Sequence, residues 1–171
     1  MAQNAPARQV IYPANVPGLK KAWSYTTEDA IESSPVVDGK MLYIGSKDHN
    51  LYALEARTGK VLWNYMTGGP IFSTPTVVDD VVYFGSLDAT FYALDARTGG
   101  LIWSYAVGNA IESSPTVAGG AVYFGSTDHS LYAIDVYSGD LMWSYKTGGG
   151  IQSSPTVADG VVYFGSWDSN F

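Results

Sequence analysis

A carboxylate recurs once in every forty residues of this chain. The four aspartates are Asp48, Asp88, Asp128 and Asp168. Carboxylate oxygens are preferred ligands of Ca²⁺ and Mg²⁺, and a carboxylate can also act as a general base. A single carboxylate in each repeat is nevertheless better explained by an Asx turn, in which the side chain accepts a hydrogen bond from its own backbone. We therefore expect these aspartates to have a structural role and to hold no metal ion.

Two histidines directly follow two of these aspartates. His49 and His129 occupy positions that hold Ala89 and Ser169 in the other repeats. A Ser-His-Asp triad needs one serine and one acid set apart from their copies, and here the serines and acids serve every repeat alike. We read both histidines as surface turn residues, and the sequence predicts no catalytic residue and no bound cofactor.

Composition removes several classes of function. The chain has no cysteine, which excludes disulfides, thiolate metal sites and cysteine nucleophiles. The net charge of −7 argues against a nucleic-acid partner, which requires a basic face. No apolar run reaches the length of a membrane helix, so no membrane insertion is expected. Residues 1–9 lack a hydrophobic signal core, so the protein is either cytoplasmic or has lost a signal peptide.

The aspartates belong to a much longer repeat with a period of forty residues. Aligning on Trp23, Trp63, Trp103 and Trp143 gives the units 23–62, 63–102, 103–142 and a shorter 143–171. Ten positions are identical in all units; in the first they are Trp23, Tyr25, Ile31, Ser33, Pro35, Val37, Tyr43, Gly45, Ser46 and Asp48. A fixed period of this length indicates one supersecondary unit used repeatedly.

Each unit has the pattern of four short antiparallel strands. In the first unit we expect strands at 33–37, 41–46, 51–56 and 61–65, with turns at Asp38-Gly39, 47–50 and 57–60. No helical period is present. Four strands in forty residues match a β-propeller blade. The alternative all-β architecture, a β-solenoid, is disfavoured because the turns within each unit are hairpins.

The end of each unit resembles the tryptophan-docking motif A-x-D-x-x-T-G-x-x-x-W of the PQQ-like repeat family. The matching residues are Ala53, Glu55, Thr58, Gly59 and Trp63, then Ala93, Asp95, Thr98, Gly99 and Trp103, and then Ala133, Asp135, Ser138, Gly139 and Trp143. The resemblance extends over residues 18–171. It implies a propeller fold, usually of eight blades, and a location in the periplasm or outside the cell. The family includes quinoprotein dehydrogenases, an outer-membrane assembly lipoprotein and sensor domains of bacterial kinases.

The motif also has a physical interpretation. The acid and the hydroxyl can bond backbone donors in the turn, and glycine can adopt a positive φ. The indole can then lie flat between blades, with its N–H directed at a partner. We therefore expect the motif to lock one blade to the next. Trp23 is the tryptophan that has no such turn before it.

The fourth unit stops at Phe171, where its third strand should begin. Residues 11–22 align with the missing part, so the propeller domain is 11–171, after a polar extension at 1–10. Three closures are open: a four-bladed ring of one chain, an eight-bladed ring of two chains, or a piece of a longer protein. A half ring leaves two apolar blade faces bare. We expect self-association as a C2 homodimer, which covers both.

The units differ most along one edge, close to the mouth of the propeller axis. One position holds Glu32, Phe72, Glu112 and Gln152, and Trp167 lies outside the repeat pattern. Exposed aromatic residues such as Phe72 and Trp167 are common anchors of protein interfaces. These five residues are candidates for binding a protein or peptide. The alternative is sequence drift at unconstrained positions.

Three functions are compatible with this sequence. The first is a non-catalytic interaction scaffold or sensor module. The second is a remnant of a quinoprotein dehydrogenase, a class that by resemblance binds PQQ and calcium through Glu, Asn and Asp. Here the acids are spread through the repeats, so we do not expect an enzyme. The third is a duplicated or engineered repeat protein with no ligand.

Overall fold

The structure is a computed structural model that describes residues 16–170. A 3₁₀ turn at Val16–Gly18 precedes fourteen strands. Blade 1 comprises β1 to β4, blade 2 comprises β5 to β8, and blade 3 comprises β9 to β12, each a four-stranded antiparallel sheet with its strands in sequence order. Blade 4 comprises β13 and β14. The described part of the chain contains no α-helix, in agreement with the predicted all-β propeller.

The strands have nearly the same bounds in every blade. Blade 1 contains β1 (Val36–Asp38), β2 (Met41–Gly45), β3 (Asn50–Glu55) and β4 (Val61–Met66). Blade 2 contains β5 (Thr76–Val78), β6 (Val81–Gly85), β7 (Thr90–Asp95) and β8 (Leu101–Ala106). Blade 3 contains β9 (Thr116–Ala118), β10 (Ala121–Ser126), β11 (Ser130–Asp135) and β12 (Leu141–Lys146). Blade 4 contains β13 (Thr156–Ala158) and β14 (Val161–Tyr163).

The turns between strands use left-handed backbone. The first hairpin of blade 1 turns at Gly39, where φ is 57°, and the equivalent turn of blade 3 has Gly119 and Gly120 at 59° and 81°. In blade 2 the same turn is made by Asp79 and Asp80, with φ of 51° and 61°. Aspartate tolerates this conformation better than most residues with a side chain. The predicted Asp38-Gly39 turn is thus shifted, because Asp38 ends β1.

The core is formed between blades. Tyr43 and Leu51 of blade 1 are buried with Ile71, Val82 and Phe84 of blade 2 in one cluster. A second cluster joins blades 2 and 3, where the rings of Phe91 and Phe124 stack with centroids 4.0 Å apart. The first strands contact one another in the order β1, β5, β9, β13. Each blade therefore buries its faces against its neighbours along an arc.

Within residues 16–170, both ends of the arc expose apolar side chains, and Ile31 at the blade 1 end is 43% exposed. Tyr145 on β12 is 60% exposed and Trp143 is 40% exposed, although Trp103 and Tyr105, their counterparts on β8, are half-buried. The repeat alignment that assigns residues 11–22 to the missing part of a blade also predicts an outermost strand at 20–25, but this segment forms no strand. The strand that the same alignment predicts at 11–12 lies outside the described residues. Within residues 16–170, blade 4 thus has two strands of its expected four.

Residues 16–170 contain no helix that is both long and apolar enough to cross a membrane.

Candidate functional site

The repeated aspartates bind the loop that enters their own blade. Asp88 Oδ2 accepts hydrogen bonds from the Gly68 N–H at 2.8 Å and the Tyr92 hydroxyl at 2.7 Å, and Oδ1 accepts one from the Thr90 N–H at 2.9 Å. The loop N–H donors to the other three aspartates are those of Glu28 to Asp48, Gly108 to Asp128 and Gly148 to Asp168. The bonds from Thr90 to Asp88 and from Asn50 to Asp48 are the predicted Asx bonds. The carboxylate therefore ties the 2–3 turn of each blade to the connection from the blade before.

These hydrogen bonds control the ionisation of the acids and tyrosines. Burial acts to raise the pKa of Asp48, but hydrogen bonds from the Tyr52 hydroxyl and from backbone N–H groups outweigh it and leave the pKa below 3.8. Burial is the main cause that raises the pKa of Tyr132 to about 12, and its hydrogen bond to Asp128 is the second cause. Among residues 16–170, no three side chains of the His, Asp and Glu types lie close enough to hold a metal ion. In this structure the acids of the 2–3 turns act as hydrogen-bond acceptors.

The tryptophans dock on the turn that follows them in the chain. The indole N–H of Trp23 donates to the Ala56 carbonyl at 3.0 Å. Trp63 donates to Ala96 and Trp103 donates to Val136, both at 3.1 Å. Trp23 has no docking turn before it in the sequence, but the turn that receives its indole lies 33 residues later. Within the described residues, Trp143 is the tryptophan that contacts no such turn.

Each docking turn is shaped by its acid and its glycine. Asp95 Oδ1 accepts hydrogen bonds from the Thr98 hydroxyl and N–H, both at 2.8 Å, and from the Arg97 N–H at 3.0 Å. These hydrogen bonds lower the pKa of Asp95, and the bond from the Thr98 hydroxyl has the largest effect. Gly99 has a φ of 72°, and a Cβ atom there would lie 2.7 Å from the indole of Trp63. Equivalent contacts are made by Glu55 with Thr58, Asp135 with Ser138, Gly59 with Trp23, and Gly139 with Trp103.

The alanines that begin the motif are fully buried. Ala53, Ala93 and Ala133 each have no exposed surface. Each lies opposite the tryptophan of the same sheet, as Ala53 does opposite Trp63. A regular register is interrupted by a bulge directly after each of these alanines. The small side chain therefore lies directly before the bulge between the third and fourth strands of each blade.

The five candidate partner-binding residues differ in exposure. Phe72, expected to be an exposed anchor, is half-buried, and the Lys47 ammonium group lies 5.5 Å from its ring centroid. Lys47 also pairs with Glu32 at 3.2 Å. This cluster joins blades 1 and 2, so Phe72 is less accessible than predicted. Trp167 is 65% exposed in the single chain. Glu112 and Gln152 are half-buried.

Sequence reasoning missed two groups of residues. The tyrosines that bond the aspartates are Tyr52, Tyr92 and Tyr132. Their signal was a tyrosine four positions after the aspartate in each complete repeat. Lys47, which covers Phe72, was also missed, because its contact crosses from one blade to the next. His49 and His129 lie in the 2–3 turns with φ of 74°, where their carbonyl groups accept hydrogen bonds from Thr67 and Thr147.

Four-stranded blades joined by these repeated contacts define a β-propeller of the PQQ-like repeat class. The family model described as outer membrane protein assembly factor BamB matches residues 8–109 and 92–170. The chain belongs to this family. No curated protein sequence matches the chain.

Solved structures resemble the chain over most of its length. BamB from Moraxella catarrhalis is 28% identical, with a TM-score of 0.76 over 86% of this chain and 47% of that chain. The computationally designed protein Ika4 is 18% identical, with a TM-score of 0.79 over 88% and 94%. Quinohemoprotein alcohol dehydrogenase from Comamonas testosteroni is 26% identical, with a TM-score of 0.70 over 78% and 24%. This chain thus spans about half the length of BamB.

Proposed function

We propose that this chain is a non-catalytic interaction scaffold or sensor module that acts outside the cytoplasm. The observation that carries the proposal is the engagement of the repeated acids. Each acid of the 2–3 turns accepts several hydrogen bonds from its own repeat or the preceding loop, as Asp88 does from Gly68, Thr90 and Tyr92. Acids that hold the blades together are not free to act as a general base. The family match to BamB supports a binding role and a periplasmic location.

We propose further that the working form is an eight-bladed ring of two chains. The match to about half of BamB and the bare ends of the arc support a half ring. A groove of about 570 Å³ lies beside the edge of β14 and is lined by Tyr145, Val162, Phe164 and Asp168, among others. The repeat register assigns this space to the third and fourth strands of blade 4. Residues 11–22 of the second chain would supply them.

The partner surface is the variable edge near the mouth of the axis. Trp167 provides a large exposed aromatic side chain, and the Glu32–Lys47 pair provides charge beside Phe72. An aromatic anchor with a polar rim is the usual composition of a protein-binding surface. A protein or peptide with an apolar side chain to cover Trp167 fits this chemistry.

Two measurements test this function. Size-exclusion chromatography with light scattering should give twice the chain mass of 18.3 kDa, and a clean monomer would contradict the two-chain ring. Crosslinking capture from the periplasm should recover a protein that Trp167→Ala loses at unchanged ring mass. Tyr137→Ala is the matched control, because Tyr137 is 79% exposed but lies at a 3–4 turn. Equal capture by both variants would contradict the proposed surface.

The alternative is a remnant of a quinoprotein dehydrogenase. The likeness to quinohemoprotein alcohol dehydrogenase, at 26% identity, is the observation in its favour. Titration with PQQ in the presence of calcium separates the two functions, since a saturable absorbance change would support the dehydrogenase remnant. A ring that captures no partner and binds no PQQ would instead favour a duplicated or engineered repeat protein without a ligand.

A further inference from the structure

Every junction between neighbouring blades within residues 16–170 has the same isoleucine-on-glycine contact. Ile71, Ile111 and Ile151 are fully buried. A Cβ atom built on the facing glycine would lie 3.0 Å from Cβ of Ile71 at Gly45, 2.7 Å from that of Ile111 at Gly85, and 2.8 Å from that of Ile151 at Gly125. Only glycine leaves room for the isoleucine at this distance. The contact is therefore a steric requirement for joining one blade to the next.

The two ends of the arc each carry one half of this contact. Ile31, the first isoleucine of the series, is 43% exposed. Gly165, the last glycine, has room for a Cβ atom, whose nearest neighbours would be Ser153 atoms at ordinary contact distances of 3.8 and 3.9 Å. The isoleucine at one end thus lacks its glycine, and the glycine at the other end lacks its isoleucine.

A chain of polar contacts has the same two open ends. The Ser34 N–H donates to Thr74 Oγ1 at 3.1 Å, the Thr74 N–H to Ser114 Oγ at 3.0 Å, and the Ser114 N–H to Ser154 Oγ at 3.1 Å. Each bond spans forty residues, so the series continues from the Ser154 N–H to the hydroxyl of a residue equivalent to Ser34. The register of this series is the same as that of the isoleucine contacts.

A third series points to the same junction. Thr76 Oγ1 donates to the Pro115 carbonyl at 2.7 Å, and Thr116 Oγ1 donates to the Pro155 carbonyl at 2.6 Å. The next donor in the register is the hydroxyl of Thr156, and its acceptor is the carbonyl of Pro35. Two polar contacts and one apolar contact are therefore matched between the ends of the arc.

We propose that the end of blade 4 is a docking surface for blade 1 of a second copy of this chain, with Ile31 of one copy seated on Gly165 of the other. Ser154 and Thr156 of one copy then donate to Ser34 and Pro35 of the other. The same contacts form at both junctions, so the two-fold axis of the pair closes the ring. This inference rests on the two-chain ring proposed above and assigns the residues that join it.

A second copy fits better than the chain's own other end. The four repeats superpose on about half of BamB with a TM-score of 0.76. This match supports a ring about twice as long, and the exposure of Ile31 together with the room at Gly165 shows that these two residues of one chain do not meet.

Disulfide crosslinking tests the junction cleanly, because the chain has no cysteine of its own. The variant carries Ile31→Cys and Gly165→Cys in the full chain. The control carries Ile71→Cys and Gly45→Cys, which meet within one chain with a Cβ–Cβ distance of 3.0 Å. That distance is within about 1 Å of the range that disulfides adopt. Each variant is oxidised and its mass is measured without reductant.

We expect the first variant to form a covalent dimer that reductant separates, and the control to form a disulfide without a change of mass. A disulfide within one chain of the first variant would overturn the second copy as occupant. If only the control forms its disulfide while the wild-type protein is a dimer by light scattering, the junction is wrong and the ring stands. If the wild-type protein is a monomer and only the control reacts, both fail.

A space-filling variant gives an answer even where the cysteine pair does not fold. Gly165→Val adds a side chain where the single chain has room, so the chain should still fold. The dissociation constant of the dimer should rise by about tenfold or more. Adding Ile31→Ala to the same chain makes space at both junctions and should restore association. An unchanged dimer with Gly165→Val would overturn the contact, as would a failure of Ile31→Ala to rescue it.

Discussion

Gly99→Ala should destabilise the protein through two separable effects. Its φ of 72° places an alanine in left-handed backbone, at a cost of about 1–2 kcal/mol. The new methyl group would also lie 2.7 Å from the indole of Trp63, and forcing the ring away costs about 1–3 kcal/mol by overpacking. Moving the ring weakens its bond to the Ala96 carbonyl, for about 1 kcal/mol more. Together these predict a loss of about 3–6 kcal/mol in the free energy of unfolding.

Gly119→Ala is the matched control for the backbone effect. Gly119 has a φ of 59°, and nothing lies within 4 Å of a built Cβ. It should therefore lose only the backbone cost of about 1–2 kcal/mol. Both variants are measured by chemical denaturation at the same protein concentration. Equal losses would refute the reasoning, because they would mean that the indole contact contributes nothing to the lock between blades.

Three further predictions concern the hydroxyl and carboxylate groups. Tyr92→Phe removes the donor to Asp88 and should cost about 1–2 kcal/mol in denaturation, whereas Tyr105→Phe, whose ring contacts Tyr132, should stay within about 0.5 kcal/mol. The pKa of Asp48 is lowered from 3.8 in the fold, so its contribution to stability is present above pH 3.8 and is lost as the pH falls through the lower folded value. Asp48→Asn should therefore weaken the fall of the free energy of unfolding at acid pH, and an unchanged fall would contradict this. Burial raises the pKa of Tyr43 from 10.0 to about 12, so its contribution to stability is present below pH 10 and is lost as the pH rises towards 12. The phenolate absorbance of the folded protein should therefore rise at higher pH than that of the unfolded chain, and coincident titration curves would refute this prediction.

The repeat pattern was enough to predict the blades, but strand ends depended on contacts between blades. β1 begins at Val36 and not at Ser33. Ser33 Oγ accepts the Gly45 N–H, and the Ser34 N–H donates to Thr74 of the next blade. The N–H groups of Gly45 and Ser34 are therefore not available for a ladder between these two segments. Such a bond over forty residues leaves no local signal.

The same limit applies at the candidate site. A motif read as one window suggests that a tryptophan docks on the turn just before it. The turn that receives Trp63 is built by Ala96 and Gly99 of the following blade. The exposure of Phe72 likewise depended on Lys47 of the preceding blade. Both features follow from the curvature of the arc, which a pattern of residue types does not encode.

The sequence separation of the contacts between blades bears on how the chain folds. The hydrogen bonds of the docked tryptophans span 33 residues of sequence, and those of the serine and threonine series span 39 or 40. The hydrogen bond from the Tyr43 hydroxyl to the Ala96 carbonyl spans 53 residues. Each repeat therefore needs only its neighbour in order to form. Folding can begin at the central blades and spread outwards by nearest-neighbour coupling, and backbone amides should exchange with solvent fastest at the ends of the arc.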